Sequence, residues 1–396
     1  MYKGSARVTL PTSIIGSLPR PSWYTAGLGT QNFLEAMMNL RYREQYEDAV
    51  SVYLRAQETA GLDIVTDGDA HFDEQISGMS WQSYPLTHMS GFSRSAEASR
   101  YQMATGAPRG HILHDFLEAR VLPKIIGPVG PGNLQYTAMW KVAQRLTTKP
   151  VKFGTILPEL LAASVGDEHY KDPVERTWAL SDALNRELHD LADAGCPVIQ
   201  MEEPQIHMVP VRGKTFGKLD VDDLVKLFNN TVKGLRDKTE VWCHTCWGNP
   251  AQQRIFRDIQ SYQPTLAALS QVDADAITFE TCSSGTGDLP AIGQAIKDKK
   301  IGCRGDRPSH IAGRAARPGR CVDPRSAEAH SAGETGYFVG LRNGPRRHEP
   351  PARHLQDGRD GAGHEYCEEG ARSPRSGVFG RRSALFVGSG SLVVKT

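Results

Sequence analysis

Short apolar runs alternate with longer amphipathic stretches over residues 1–301 of the chain. The apolar runs are rich in β-branched residues and lie at 12–16, 63–67, 151–155, 198–202, 241–244 and 276–280. Helical periodicity marks the stretches 34–60, 173–194, 221–235 and 289–299, and residues 124–129 form a further β-like run. Parallel strands need crossover connections of this length, so the alternation predicts a parallel sheet covered by helices.

The predicted architecture is an α/β fold that closes as a (β/α)8 barrel of the TIM type. A doubly wound open sheet is the alternative. The first apolar run is not followed by a G-x-G-x-x-G or phosphate-loop motif, and this favours the barrel.

The composition excludes several classes of protein. The 396 residues are 23% charged and 39% hydrophobic, and 46 basic side chains against 45 acidic ones give a net charge of +1. This balance predicts no nucleic-acid or membrane partner. No apolar run approaches the roughly 18 residues of a spanning helix, and the amino terminus lacks a signal pattern. We therefore expect a cytoplasmic protein, whose seven cysteines remain outside disulfides.

The composition changes abruptly after Ile301. Residues 1–301 contain 16 Arg and 14 Lys, whereas residues 302–396 contain 15 Arg, a single Lys and 16 of the 39 glycines. Apolar periodicity nearly vanishes between residues 303 and 382. We predict two regions: a barrel domain at 1–301 and a disordered tail at 302–396.

Polar residues follow several of the predicted strands, where an α/β barrel carries its active site. The first run ends at Ile15, Gly16 and Ser17, whose backbone N–H groups suit a substrate carboxylate, although the residues alone favour a plain strand-to-loop turn. Asp69 follows the second run and Glu202 ends the fourth. Two carboxylates at strand ends suit an amine, and the alternative is that they face solvent.

His244 and Cys246 flank one residue at the end of the fifth run. Strand alternation places them on one side, where an imidazole and a thiolate are suitable zinc ligands. Glu280, from the next run, is a candidate third ligand. The alternative is a buried thiol beside a hydrogen-bonded core histidine. Cys243 and Cys196 are expected to be packing residues.

Six motifs carry a family resemblance in their order along the chain. They are Ile-Gly-Ser-Leu-Pro-Arg, Ala-Gly-Leu-Asp-Ile-Val-Thr-Asp-Gly-Asp, Leu-Thr-Thr-Lys-Pro-Val-Lys, Val-Ile-Gln-Met-Glu-Glu-Pro, Cys-His-Thr-Cys and Ile-Thr-Phe-Glu-Thr. Together they resemble the C-terminal catalytic barrel of cobalamin-independent methionine synthase and its single-barrel relatives. The resemblance implies a (β/α)8 barrel and an enzyme that transfers a methyl group to a zinc-bound thiol, usually that of homocysteine.

The resemblance also implies roles for individual residues. His244, Cys246 and Glu280 would bind Zn²⁺, the turn Ile15–Gly16–Ser17 would hold the amino-acid carboxylate, and Asp69 and Glu202 would meet its ammonium. A free thiol with a pKa of about 8.5 is mostly protonated at neutral pH. Coordination to zinc removes that proton and leaves a sulfur nucleophile.

Several alternatives stay open within this family. Residues 157–164 contain no counterpart of the tryptophan that packs on the pterin in folate-dependent members. The methyl donor is therefore open between a methyl-folate and a methyl-corrinoid protein. A zinc-dependent epoxyalkane–coenzyme M thiol transferase is an alternative enzyme, and a catalytically inactive barrel that acts as a binding protein is an alternative of another class.

The tail lacks the end of the family pattern, a histidine-bearing strand and then Asp-Cys-Gly, whose cysteine completes the zinc site. Permitted codons for residues 337–354, read one nucleotide later, encode Ile-Ser-Ser-Asp-Cys-Gly-Met-Gly-Arg-Glu-Gly-Met. The shifted cysteine falls across Leu341 and Arg342. We hypothesise a frameshift near residues 302–306. The chain as written should then have a shortened seventh strand, no eighth strand, no family catalytic histidine and impaired activity.

Overall fold

The computed structural model describes most of the chain up to residue 304 and three short strands beyond it. The described residues are 4–6, 8, 11–18, 21–25, 27–28, 31–70, 80–93, 99–100, 121–212, 219–247, 261–281, 288–304, 338–341, 385–386 and 392–393.

The strands within these residues are, in chain order, β1 Ser90–Phe92, β2 Ser99–Arg100, β3 Val121–Leu122, β4 Ile125–Gly130, β5 Lys152–Ile156, β6 Val198–Glu202, β7 Glu240–Thr245, β8 Ala276–Phe279, β9 Lys300–Arg304, β10 Phe338–Leu341, β11 Leu385–Phe386 and β12 Leu392–Val393. The helices are α1 Phe33–Ala36, α2 Leu40–Thr59, α3 Ser80–His88, α4 Tyr136–Arg145, α5 Pro158–Ser164, α6 Pro173–Asp193, α7 Val209–Arg212, α8 Val221–Thr231, α9 Leu266–Leu269 and α10 Leu289–Ala295.

A parallel sheet organises the fold. Strands β5 to β9 lie side by side in chain order, and each neighbouring pair is parallel. The segment around Val65 extends the sheet through a parallel bridge to Val151, beside β5. The carbonyl oxygen of Thr12 accepts hydrogen bonds of 3.1 Å from Asp63 and Ile64, so the first predicted run lies next to the second. The α/β class and its parallel sheet are confirmed.

The two faces of the sheet have different roles. Cys243 and Ile277 belong to the large apolar core shared with the helices. The residues before them, Trp242 and Ala276, form a separate buried cluster with Ile64 and Val198. Successive strand residues point to opposite faces, so this second cluster lies on the inner face of the sheet. Near the amino ends of the strands, the inner face therefore carries these four apolar side chains.

Helix α6 illustrates why the amphipathic stretches fold against the sheet. The Asp172 side chain caps its first turn by accepting a 3.0 Å hydrogen bond from the Val174 N–H group, and Pro173 occupies the first position. Pro is tolerated there because the first N–H groups of a helix have no partner within it. Leucines repeat at helical spacing and are buried, at 180, 184, 188 and 191. The observed end, Asp193, agrees with the sequence prediction.

The amino-terminal segment contacts the amino ends of β7 and β9. Ser5 donates its backbone N–H to Glu240 at 3.0 Å, and Lys300 contacts both Ser5 and Glu240. The buried Glu240 carboxylate also accepts a 2.9 Å hydrogen bond from the Trp242 indole. Residues from the first and last parts of the sheet thus meet at its amino end.

Closure of the sheet into a complete barrel stays a prediction. On the β9 side the next strand is β10, which runs antiparallel, with Phe338 opposite Arg304 and Leu341 opposite Ile301. Among the described residues this edge does not pair with the segment around Thr12. Strand β9 is five residues long, as are β5 and β6, so our expectation of a shortened seventh strand was wrong. Most of the predicted tail at 302–396 lies outside the described residues.

One loop prediction also changes. From the sequence alone, Trp81, Tyr84 and residues 91–110 are expected to form a long loop over the barrel mouth or a disordered insertion. Trp81 and Tyr84 instead lie in α3, where Tyr84 is buried, stacks on His88 and donates a 2.8 Å hydrogen bond to the Leu134 carbonyl. Residues 101–110 lie outside the described residues.

No helix in the described part of the chain is long and apolar enough to cross a membrane. Among the described cysteines, Cys196 and Cys243 are free thiols.

Candidate active site

The polar residues predicted for the site gather at the carboxyl ends of the central strands. Register places Ile156, Glu202, His244 and Thr278 on one level across β5, β6, β7 and β8. Glu202 Oε2 lies 3.6 Å from His244 Nε2. Glu202, predicted to bind the substrate ammonium, and His244, predicted to bind a metal, are therefore adjacent.

The turn after the first run packs directly on Asp69. Ser17 donates its hydroxyl hydrogen bond to Asp69 Oδ2, and a Cβ atom on Gly16 would lie 3.0 Å from the same oxygen. Glycine at position 16 permits this close approach. Asp69 has φ of 51° and follows Gly68 with φ of 73°, so a left-handed bend aims the carboxylate at the turn. The predicted substrate residues Gly16, Ser17 and Asp69 are brought together.

A buried lysine that the sequence analysis did not select connects this turn to Glu202. Lys152 Nζ donates to the carbonyl oxygens of Ile14 at 2.7 Å and Ile15 at 3.1 Å, and to Gln200 Oε1 at 2.5 Å. Gln200 Nε2 in turn donates to Ile15 O at 2.8 Å and to Glu202 Oε1 at 2.6 Å. The sequence signal that could have indicated this network is the presence of Lys152 and Gln200 within runs that are otherwise largely apolar.

Burial shifts the pKa values of this network. Loss of hydration raises the pKa of Glu202 to about 8; the charge of Asp69 adds to this rise, while Gln200 and Lys152 oppose it. Burial lowers the pKa of Lys152 to about 7, against the opposing attraction of Glu202 and Asp69. Two carboxylates and one ammonium in a poorly hydrated cleft favour a ligand that brings a further positive charge.

The three predicted zinc ligands occupy neighbouring strand ends. His244 pairs in register with Thr278, and Cys246 and Glu280 lie two residues further along, just beyond the ends of β7 and β8. Glu280 Oε2 accepts a 3.2 Å hydrogen bond from the backbone N–H of Trp247, which follows Cys246. Burial raises the pKa of Tyr262, and the charges of Glu280 and Cys246 raise it further.

These residues fit zinc in their chemistry and order, with one reservation of geometry. Imidazole, thiolate and carboxylate are the donors that zinc takes in proteins. His244 Nδ1 lies 2.6 Å from Thr278 Oγ1, an arrangement that fixes the ring of a metal-ligating histidine. Across the described ranges, however, no three His, Cys, Asp or Glu side chains are drawn together at metal-binding distances.

Buried residues that are not candidate ligands support the segment that carries Cys246. His207 Nε2 donates a 2.8 Å hydrogen bond to the Cys246 carbonyl, and the ring packs edge-on against Trp247. Burial lowers the pKa of His207 to about 3, so its imidazole is neutral. The Glu203 carboxylate accepts N–H hydrogen bonds of 3.1 Å from Gln205 and Ile206. Sequence reasoning missed both residues, because their partners are backbone groups.

This arrangement, a parallel α/β sheet with buried ionisable groups at the carboxyl ends of its strands, is typical of an enzyme active site. Residues 117–304 match the family model described as "Cobalamin-independent synthase, Catalytic domain". This match covers a little under half of the chain, and over these residues the chain is similar to the catalytic domain of that family.

The sequence identity to individual curated relatives is below 30%. The chain is 28% identical over 252 residues to a 2-hydroxypropyl-CoM lyase of Xanthobacter autotrophicus, covering 61% of this chain and 57% of that protein. It is 27% identical over 251 residues to a methionine synthase of Sulfolobus acidocaldarius, covering 60% and 62%. The chain thus spans about three fifths of the length of these curated relatives.

One solved structure supports the fold. A B12-independent methionine synthase from Shewanella sp. W3-18-1, solved in complex with selenomethionine, superposes with a TM-score of 0.55. It shares 22% sequence identity, and the match covers 75% of this chain and 80% of that one.

Proposed function

We propose that the protein is a zinc-dependent S-methyltransferase that transfers a methyl group to the thiol of homocysteine and forms methionine. Two contacts support this proposal: Ser17 of the turn donates a hydrogen bond to Asp69, and Glu202, whose pKa the charge of Asp69 raises, lies 3.6 Å from His244. This arrangement offers anionic groups for an ammonium and backbone donors for a carboxylate, one strand away from candidate metal ligands.

The chain's own residues would bind and orient the substrate. The backbone N–H groups of the turn at residues 15–17 would receive the substrate carboxylate. Asp69 and Glu202 would receive the ammonium, and its charge would favour the ionised form of Glu202 against the effect of burial. Fixing both groups restricts where the thiol lies, and positioning contributes much of the rate in a group transfer.

His244, Cys246 and Glu280 would hold Zn²⁺. The metal, when bound, lowers the pKa of a coordinated thiol so that it is a thiolate at neutral pH. The methyl donor, a methyl-folate or a methyl-corrinoid protein, remains part of the proposal.

Calorimetric titration with L-homocysteine and with coenzyme M tests the substrate. Coenzyme M carries a sulfonate and has no ammonium, so the acidic pair should reject it, and heat of binding is expected only with homocysteine. The similarity to a 2-hydroxypropyl-CoM lyase supports the second candidate, an epoxyalkane–coenzyme M thiol transferase. Binding of coenzyme M with no response to homocysteine would reverse the order of the two proposals.

We also propose that the tail arises from a shifted reading frame. The family match ends at residue 304, close to the abrupt change in composition after Ile301. A restored frame would supply an eighth strand and the fourth zinc ligand, and would complete the barrel. Sequencing the gene across codons 301–307 tests this proposal, and a DNA sequence with no family-like alternative frame would contradict it.

A further inference from the structure

Lys152 is a buried cation on the inner face of the sheet. Only 1% of its surface is exposed, and Nζ lies 4.9 Å from the centre of the Trp242 ring. An ammonium has three N–H donors, and the structure provides three acceptors within 3.1 Å: the carbonyl oxygens of Ile14 and Ile15 and the Gln200 side chain. The number of acceptors therefore matches the three donors of the charged form of this side chain.

Gln200 extends the contact to the neighbouring group. Its side-chain oxygen accepts from Lys152, and its nitrogen donates to both Ile15 O and Glu202 Oε1. Gln200 is fully buried. These bonds fix the orientation of its amide, because an exchanged nitrogen and oxygen would oppose every one of them.

The network therefore links two groups with different tasks in the proposed function. Ile14 and Ile15 immediately precede Gly16 and Ser17, whose N–H groups would receive a carboxylate. Glu202, at the other end of the network, would receive an ammonium. Lys152 contacts the first group directly and the second through Gln200.

We propose that Lys152 is a positioning residue that couples recognition of the carboxylate to recognition of the ammonium of an α-amino acid. This inference rests on the proposed function, since it concerns the same ligand. Without the Lys152 ammonium, the Ile14–Ile15 carbonyls and the Gln200 amide lose their common partner. Gln200 alone then joins the turn to Glu202, and both charged groups of the ligand are held less firmly.

A purely structural role for Lys152 makes a different prediction. A buried charge replaced by an apolar side chain of similar volume is often neutral or stabilising for the fold. Lys152→Met would then change the free energy of unfolding and leave the selectivity for ligands as it is. Selectivity thus separates the two roles.

The test is calorimetric titration of the full chain with three ligands: L-methionine, L-methioninol, which lacks the carboxylate, and γ-(methylthio)butyric acid, which lacks the ammonium. None of the three has a free thiol, so binding reports on amino-acid recognition without a thiolate–metal bond. In the unaltered protein, each truncation should weaken binding about tenfold or more, the usual effect of losing a charge-assisted hydrogen bond.

Lys152→Met should bind L-methionine about 10- to 100-fold more weakly and prefer it to either truncated ligand by less than about threefold. Gln200→Leu should share this loss of preference. Lys149→Met is the matched control, because Lys149 lies on the same segment and its ammonium contacts the Leu62 carbonyl. The control should keep the selectivity of the unaltered protein.

Retained selectivity in Lys152→Met, or its loss in the Lys149→Met control, would overturn the inference and leave the proposed function standing. An unaltered protein that binds none of the three ligands would overturn the inference together with the proposed function.

Discussion

Glu187 is an acid whose environment opposes ionisation. Burial raises its pKa to about 7, although its Oε1 accepts a 2.7 Å hydrogen bond from the Tyr136 N–H group. Between pH 4.5, the ordinary pKa of a glutamate, and pH of about 7, the native state therefore holds a proton that the unfolded chain has lost. Because the folded state binds more protons in this window, stability must fall as the pH rises through it.

The Glu187→Gln variant should remove this contribution while keeping an acceptor for Tyr136. We expect it to be more stable than the unaltered protein at pH 8 by about 1–3 kcal/mol, and to differ little at pH 4. Urea unfolding at several pH values measures the difference. A variant that is equally destabilised at both pH values would show that Glu187 acts through its packing.

Asp69 is the residue whose charge should matter most directly for ligand affinity. Asp69→Asn keeps an oxygen that accepts from Ser17 and removes one negative charge from the proposed ammonium site. L-Methionine should bind about 10- to 100-fold more weakly, as expected for the loss of a charged hydrogen-bond partner.

Asp63→Asn is the control for that experiment. Asp63 joins the same two chain segments by accepting hydrogen bonds from Thr12 at 2.9 Å and 2.7 Å, but at their amino ends. It should change stability rather than ligand preference. Equal affinity for L-methionine in Asp69→Asn and the unaltered protein would remove Asp69 from the site.

At the residue scale, the sequence indicated candidate site residues at the ends of apolar runs. It did not indicate the buried residues whose hydrogen bonds depend on how the strands align. Asp69, Glu202 and His244 follow apolar runs, and that position alone indicated a site. Lys152 and Gln200 lie within such runs, and their partners are carbonyls more than 100 residues away in the chain. No local pattern encodes such a distance, because it depends on how the strands align.

The strands β5 to β8 and the helices within the four predicted amphipathic stretches followed from periodicity, apart from their ends. The predicted helix at 34–60 is two helices, α1 and α2. Asn39 lies between them with extended backbone, and its side chain accepts a hydrogen bond from the Tyr42 N–H group at the start of α2. A side chain that caps a helix competes with helical continuation, and apolar spacing does not detect it.

Helix α8 offers a direct test of end capping. Asp220 and Asp223 form a reciprocal capping box at its first turn. Asp220→Ala should reduce the free energy of unfolding by about 1 kcal/mol, the usual cost of losing an N-cap. Chemical denaturation provides the measurement.

Asp222→Ala removes a neighbouring acidic side chain from the same first turn and leaves the capping box in place. Its effect should be a few tenths of a kcal/mol, through the helix dipole alone. Equal losses in both variants would show that the charge of this turn, and not the cap, stabilises the helix.

At the scale of the whole molecule, the order of strands agrees with the prediction up to β9. Beyond it, β10 pairs antiparallel at the edge where a barrel of this family needs a parallel strand. Apolar periodicity carried the prediction as far as Ile301, because each buried strand leaves its own pattern. It did not indicate a further parallel strand after Ile301, and among the described residues the strand next to β9 is the antiparallel β10.

The central proposal is that residues 1–301 hold the zinc and thiol site of an S-methyltransferase and that the tail leaves this site incomplete. The most direct measurement is zinc content and homocysteine-dependent proton release for two proteins, the chain as given and the chain with its frame restored after Ile301. We predict that the restored chain retains about one zinc per molecule and releases a proton on adding homocysteine, and that the chain with the present tail, which has three of the four ligands, does both to a smaller extent. If the two proteins behave alike, the tail supplies ligands of its own and the account of residues 302–396 is contradicted.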